Sequence, residues 1–388
     1  MARSDWIMFE NAKYRLNLYI NGNLVGDVRP IAQKLVWARR RTKRGADSID
    51  FTLNDKVFDR WCKKNHTDVA TLLKPYALEC RVVRDGVELV GGFLATMPAY
   101  TPKKASADLS MHFDGFLNLL AGVYIYRDNT KLPYGTVTGR MGSLIQNFIT
   151  IANNRSAAAG KGFGLVANNI DVMASVTNTF DNYKPVKEFI CDRCDNTEGA
   201  GPFDVYFYAD KKYDIKREDN FGDTITGWVA QYPADPYKIS LSYISAPERM
   251  DFATFVFAIG YGEISATASE NTTIISTAAN NAATAEYGYC EKLSSYSSIT
   301  RQDTLDQKAV TELSILSNPI WHPEVQTNGT WLAPTPNGDN KIWLGDIITI
   351  KNNADFTGMT SGTFRVNELT VRVADTGAET IVPTLERV

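Results

Sequence analysis

The chain has 388 residues, 44% of them apolar and 11% aromatic, enough for about two to four domains of roughly 100–200 residues each. Its start, MARSDWIMFENAKY, lacks the basic and apolar regions of a signal peptide, and its longest apolar run, residues 252–259, falls far short of the ~20 residues of a membrane helix, so neither a cleaved leader nor stable membrane insertion is expected. The net charge of −3 hides a split: residues 1–125 carry 19 Lys+Arg against 13 Asp+Glu, and the remainder 22 against 31.

Residues 14–20 alternate, with Leu16, Leu18 and Ile20 on one face. Asn21-Gly22 then turns the chain into a partner strand at 23–28. Residues 35–41 and 48–53 read as strands separated by the basic turn Thr42-Lys43-Arg44-Gly45. Residues 55–64 read as a short helix with Val57, Phe58 and Trp61 inward. The stretch ECRVVRDGVELVGGFLATM, residues 79–97, reads as a hairpin about Asp85-Gly86. Pairing outward from that turn sets Val82 opposite Leu89 and Arg81 opposite Val90. Gly91-Gly92 marks a bulge or a close backbone approach. A strand at 107–113 and a helical segment at 116–121 complete a compact β-barrel or sandwich over residues 9–125.

Residues 126–224 change character and predict an inserted α+β domain. Leu144, Ile145, Phe148, Ile149 and Ile151 give residues 141–153 one broad apolar helical face. The Ala-Gly-rich stretch 156–164 reads as a loop, 185–194 as a second helix, and 203–208 and 213–216 as strands. Residues 225–388 return to a second β-domain, with strands at 239–244, 254–259, 321–326, 341–344, 346–351, 362–373 and 380–385. Residues 265–285 read as a polar strand pair or an extended loop. Residues 303–317 form a helix with Asp303 as N-cap, Leu305, Ala309, Leu313 and Leu316 as its stripe, and Pro319 as its stop.

Few motifs suggest chemistry. Cys191-Asp-Arg-Cys194 is a lone CxxC, whereas zinc takes four ligands, usually from two such pairs. The other cysteines (62, 80 and 290) and the histidines (66, 112 and 322) are unpaired in sequence. An odd cysteine count without a signal peptide predicts reduced thiols. Gly160-Lys-Gly-Phe-Gly164 lacks the GxxxxGK[ST] spacing of a phosphate loop. No G-x-S-x-G or H-E-x-x-H occurs. No catalytic residue, metal ligand or cofactor is therefore expected. The densest charge is Arg39-Arg40-Arg41-Thr42-Lys43-Arg44. In a strand, Arg39 and Arg41 share one face and Arg40 takes the other. The run suits nucleic-acid binding, a solvated strand end or a subunit contact.

The order of elements resembles the phage tail hub family, the baseplate hubs of contractile-tailed phages and the related tail-tip proteins of siphophages. Three places carry the likeness: the basic strand followed by SIDFTL across 35–53, the hairpin VVRDGVELVGGFL, and the late run from Tyr287 through the helix 303–317 to Leu344-Gly345-Asp346-Ile347. Segments 155–180 and 262–287 have no counterpart in that pattern.

The resemblance implies a mainly β protein with an α+β insert, built from two tail-tube-like β-barrel or sandwich domains plus smaller α+β domains. It implies a homotrimeric ring in the virion, assembled in the host cytoplasm, that adapts the tail tube to the tip and passes DNA transiently through its lumen. Its partners would be a tail-tube or distal tail protein, tip or fibre proteins and the tape-measure protein. The charge split adds an expectation: Arg39, Arg40, Arg41, Lys43 and Arg44 of one copy meet an acidic neighbour, and reversing Arg40 and Arg41 impairs the ring. Two other readings stand beside it. One is a receptor- or carbohydrate-binding tail-tip protein, which would expose Trp61, Trp228, Trp321 or Trp331. The other is a cell-wall hydrolase with convergent carboxylates.

Overall fold

The computed structural model describes residues 13–103, 106–194, 201–232, 239–240, 252–261, 273–296, 299, 301–317, 327–328, 342–352 and 362–388. The fold is mainly β with α+β elements. By compactness the chain divides into a larger unit, residues up to 244 with 324–386, and a smaller unit over 245–323. The sequence-based partition at 125/126 and 224/225 follows composition, whereas the compact units follow contacts.

The larger unit carries a sheet of fourteen strands among the described residues. From one end its order is Ile239–Ser240, Thr224–Tyr232, Ile347–Asn352, Gly362–Val373, Ala32–Arg40, Ser48–Asn54, Ala107–Gly115, Val87–Leu94, Leu78–Arg84, Tyr14–Ile20 and Asn23–Asp27. Glu379–Arg387 also pairs with Gly362–Val373. The Gly362–Val373 strand lies antiparallel to Ala32–Arg40, with Glu368 opposite Arg40 and Val371 opposite Trp37. One hydrogen-bonded sheet therefore holds both the early and the late strands. Its core combines Leu16, Leu18, Trp37, Phe51, Phe58 and Phe113 with Trp343, Phe364, Val371 and Leu385.

Local chemistry explains these elements. Asn21 and Gly22 have φ of 51° and 80°, and Asp85 and Gly86 have 50° and 88°. Positive φ at both central residues is the tight hairpin turn that Asn-Gly and Asp-Gly favour. The Asp55–Lys64 helix starts where Asn54 accepts a hydrogen bond from the Val57 N–H at 3.3 Å. It ends at the residue the sequence predicts.

The Asp85-Gly86 hairpin departs from its predicted register. Arg84 pairs with Val87 and Val83 with Glu88, but Val82 then pairs with Val90 and Arg81 with Gly91. Leu89 is the extra residue of a bulge, which shifts every later pair by one position. Gly91 and Gly92 are instead sites of close approach. A Cβ on Gly91 would lie 2.7 Å from the Ala209 carbonyl, and one on Gly92 2.7 Å from that of Asp114.

Residues 126–224, together with Phe93, Phe116, Leu120 and Ile125, build a second core within the larger unit. The helix Met141–Ala158 runs into the predicted loop, because Ser156, Ala157 and Ala158 continue the helical backbone, which alanine favours. Its face of Leu144, Ile145, Phe148 and Ile149 packs with Phe180 and with Phe189 of the helix Val186–Cys194. A three-stranded sheet orders Val166–Ile170, Lys212–Arg217 and Phe203–Phe207.

The smaller unit is a three-stranded sheet, Thr273–Ala279, Phe255–Tyr261 and Glu291–Tyr296. The helix Gln302–Leu316 covers one face, placing Leu305, Ala309, Leu313 and Leu316 on Ala253, Val256, Ala258 and Ala278. The N-cap position is Arg301, which makes no side-chain capping bond, rather than the predicted Asp303, whose carboxylate accepts the Thr304 N–H at 2.8 Å inside the first turn. The undecided 265–285 stretch contains the strand Thr273–Ala279 and the start of the helix Asn281–Tyr287, whose N-cap Asn280 accepts the Ala283 N–H at 3.1 Å. The predicted strand at 321–326, Pro319, and 241–244 of the predicted strand at 239–244 lie outside the described residues. No helix among the described residues is long and apolar enough to cross a membrane.

Candidate functional site

The basic run folds inward. Arg39 and Arg41 lie on one face of the strand end, as the two-residue period requires, and that face is the interior: they are 1% and 2% exposed. Arg39 donates from Nη1 to the Leu89 carbonyl at 3.0 Å and from Nη2 to the Phe207 carbonyl at 2.9 Å. It pairs with Asp47 at 3.2 Å and stacks over the Tyr206 ring at 4.1 Å. Arg41 donates from Nε to Asp204 at 2.8 Å, from Nη2 to Glu218 at 2.7 Å and from Nη1 to Asn367 Oδ1 at 3.1 Å. Burial works against the Arg41 charge, and Asp204 with Glu218 outweighs it, so the guanidinium is held more firmly protonated than usual. Asp204 also accepts the Thr42 N–H at 3.0 Å.

The other members of the run face outward to different degrees. Arg40 is a quarter exposed and bonds Glu368 at 2.9 Å, its cross-strand partner. Lys43 pairs with Glu386. Arg44 is exposed. The run thus joins three chain segments, the early sheet, the insert through Asp204 and Glu218, and the late strands through Asn367, Glu368 and Glu386. Arg39 and Arg41 act within one chain and present nothing to a neighbour. Arg44 is the exposed member of the run, and Arg40 and Lys43 are partly exposed.

A second buried cluster repeats the pattern. Arg84 donates to both oxygens of Glu379, at 2.7 and 3.0 Å, and the Tyr14 hydroxyl donates to Glu379 Oε1. Burial pushes the Tyr14 hydroxyl above its ordinary range, and Glu379 adds to that.

The Leu344-Gly345-Asp346-Ile347 turn is a third junction. Asp346 accepts the Trp343 N–H at 2.6 Å and the Asp223 N–H at 2.9 Å, and burial pushes its carboxyl up to about 6. Gly222 and Gly345 sit back to back with φ of 82° and 90°, and a Cβ on Gly222 would fall 2.2 Å from the Gly345 carbonyl carbon. Arg365 donates to the Phe221 and Gly345 carbonyls at 3.0 and 3.1 Å. Each junction is a brace between sequence-distant segments.

No protein-family profile matches the chain, and no curated protein matches it in sequence. Solved structures do match, along nearly its whole length. It is similar to the 43 kDa tail protein of prophage MuSo2 from Shewanella oneidensis, at 12% identity and TM-score 0.62, covering 96% of this chain and 98% of that one. It is similar to a tail protein from Neisseria meningitidis MC58, at 13% identity and TM-score 0.57, covering 96% of each chain. It is also similar to prophage tail protein gp18 from Listeria monocytogenes EGD-e, at 12% identity and TM-score 0.51, covering 95% and 94%. The chain has the fold of phage tail proteins.

Within this tail-protein fold the remaining sequence motifs find structural places. Cys194 Sγ donates to the Cys191 carbonyl at 3.0 Å within the helix Val186–Cys194. Cys191 Sγ donates to the Thr42 carbonyl at 3.6 Å, and burial raises its thiol, which reduces its nucleophilicity at neutral pH. His112 is held between Asp50 at 2.6 Å and Asp114 at 3.2 Å. Partial burial opposes its charge, and Asp50 outweighs that, raising its basicity. Among the described residues no group of three or more His, Cys, Asp or Glu side chains is arranged to hold a metal ion. Trp61 is half-buried, stacks on Phe58 and donates to the Asp27 carbonyl at 3.1 Å. Trp321, Trp331 and the Trp228 side chain lie outside the described residues. Sequence reasoning passes over Asp204, Glu218, Asn367 and Glu379. For Asp204 the local signal is a carboxylate inside an otherwise apolar strand, FDVYF.

Proposed function

We propose that the chain is a structural component of a phage tail, forming a homotrimeric hub ring at the distal end of the tail tube. One observation carries this reading: the fold match to tail proteins runs end to end, covering at least 94% of both chains in three separate comparisons. The bracing supports it. A ring that transmits load through a tail needs segments that cannot slide, and buried charge-assisted hydrogen bonds resist sliding because each broken one strands a charge away from water. The net charge of −3 suits a conduit, since each neutralised phosphate would add affinity and slow DNA passage. The partners would be a tail-tube or distal tail protein, tip or fibre proteins and the tape-measure protein, in a virion assembled in the host cytoplasm. The role is non-catalytic, with clearing of cell walls in a zymogram as the result that would overturn that part.

Electron images of the purified full-length protein test the ring. Threefold particles with a central hole are the expected result. A monodisperse monomer at tens of micromolar, both alone and with its tube protein, would overturn the reading.

A further inference from the structure

In the smaller unit the helix covers the face of the sheet that carries the small side chains. Val256 and Ala258 of the central strand point to it, opposite Ala278 and Ser276. Four of the eight buried residues of that core are alanines, so the helix side buries little apolar surface. The large side chains stand on the other face. Phe255, Phe257, Ile259 and Tyr261 alternate with the inward residues along the central strand. The register sets Phe257 between Thr277 and Leu293, and Ile259 between Ile275 and Ser295. The Phe255 ring lies 5.8 Å from that of Tyr289.

This face is open to water. Tyr261, Ile275, Tyr289 and Leu293 are each half to two-thirds exposed, and Phe255, Phe257 and Ile259 are half-buried. Glu291 is the one charged residue that the three strands place there. The seven side chains leave on the order of 600 Å² in water, the upper end for the largest apolar patch of a monomer. Aromatic enrichment with few charges is the composition of an interface core. A second copy contributing as much again brings the buried area to roughly 1,200 Å², where stable interfaces begin. With so little charge on the face, copies do not repel one another, and a strongly acidic or basic partner finds nothing to pair with. The alanine-rich core leaves the unit short of buried surface, which calls for a cover present whenever the chain is made. Another copy of the chain is such a cover.

We propose that the open face of this sheet, centred on Phe257 and Leu293, is a contact surface between copies of the chain. Phe257, Ile259, Ile275 and Leu293 form the dry centre of the contact, and Tyr261 and Tyr289 flank it with hydroxyls that reach its wetter rim. The inference rests on the self-association in the ring reading and names the face through which a copy meets its neighbour.

Sedimentation of the full-length protein tests it with Leu293→Asp, Tyr289→Asp and a control, Val310→Asp, on the exposed side of the helix. All three positions are exposed, so each variant should keep the parent's circular dichroism. Leu293→Asp and Tyr289→Asp are each expected to raise the dissociation constant between copies at least about tenfold, and Val310→Asp to leave it unchanged. A parent that stays monomeric by itself, or a control that weakens association as much as the other two, would overturn the inference. A trimeric parent whose Leu293→Asp and Tyr289→Asp variants are equally trimeric overturns it and leaves the ring reading intact. A dimeric parent that both variants disperse supports it and overturns the ring reading.

Discussion

Arg84 and Glu379 lie 295 positions apart in the chain and share two hydrogen bonds of 2.7 and 3.0 Å, with both side chains buried. A pair of this kind contributes little relative to an apolar pair of equal shape, but removing one partner leaves a bare charge inside. Glu379→Ala should therefore destabilise the larger unit by about 3–5 kcal/mol. Glu379→Gln, which keeps an acceptor, should cost less, and Arg84→Met with Glu379→Leu should cost less than the two single changes summed. Urea denaturation measures all of these proteins, and additive losses would refute the coupling.

Arg41 and Arg44 should separate folding from assembly. Arg41→Met strands Asp204, which is 2% exposed, and should cost about 3–5 kcal/mol. Arg44→Glu changes an exposed side chain and should leave stability within about 0.5 kcal/mol. If the ring depends on this basic corner, Arg44→Glu alone should lower the trimer fraction in sedimentation runs. The reversal of Arg40 and Arg41 suggested by sequence is the wrong probe, because its Arg41 half breaks the fold before it reaches an interface.

Asp346 should make the protein more stable in mild acid than its other carboxylates would suggest. Its folded-state value, about 6, lies above the ordinary carboxylate value of 3.8. The folded form thus holds the proton more tightly than the unfolded one between those values. This contribution is full below the ordinary value and is lost as pH rises through about 6, by up to about 3 kcal/mol. Asp346→Asn abolishes that slope. The parent's stability relative to the variant's should rise from pH 7.5 to pH 5 in urea melts, and a constant difference would refute the assignment.

Two glycines offer a steric control. A Cβ on Gly91 meets Ala209 backbone atoms at 2.7 and 2.8 Å, whereas one on Gly122 meets nothing within 4 Å. Gly91→Ala should cost about 1–3 kcal/mol through overpacking, and Gly122→Ala should be neutral or slightly stabilising. Thermal melts distinguish them, and equal melting points would show that the Gly91 contact relaxes freely.

Much of the fold was legible wherever the determinants are local. Asn21-Gly22 and Asp85-Gly86 demand positive φ, and the helix from Asp55 to Lys64 follows from its cap and apolar spacing. The register beyond Val82 was not legible, because the Leu89 bulge answers to tertiary packing rather than to the turn. The basic run was legible as a strand with Arg39 and Arg41 on one face, but not as an interior feature. Whether an arginine is buried depends on its acceptors, and Asp204 lies 163 positions from Arg41. Periodicity reports which residues share a face and is silent on what the face meets.

The place of the Gly362–Val373 strand, between Ile347–Asn352 and Ala32–Arg40, sets a timetable for synthesis. The Ala32–Arg40 strand leaves the ribosome early, yet its neighbour arrives some 320 residues later, roughly 15–60 s at ordinary elongation rates. During that interval the nascent chain presents an unpaired strand edge to every other chain in the cell. A chain cut short before this strand keeps that edge open for good. Closure of this sheet therefore waits on the last strands to be made.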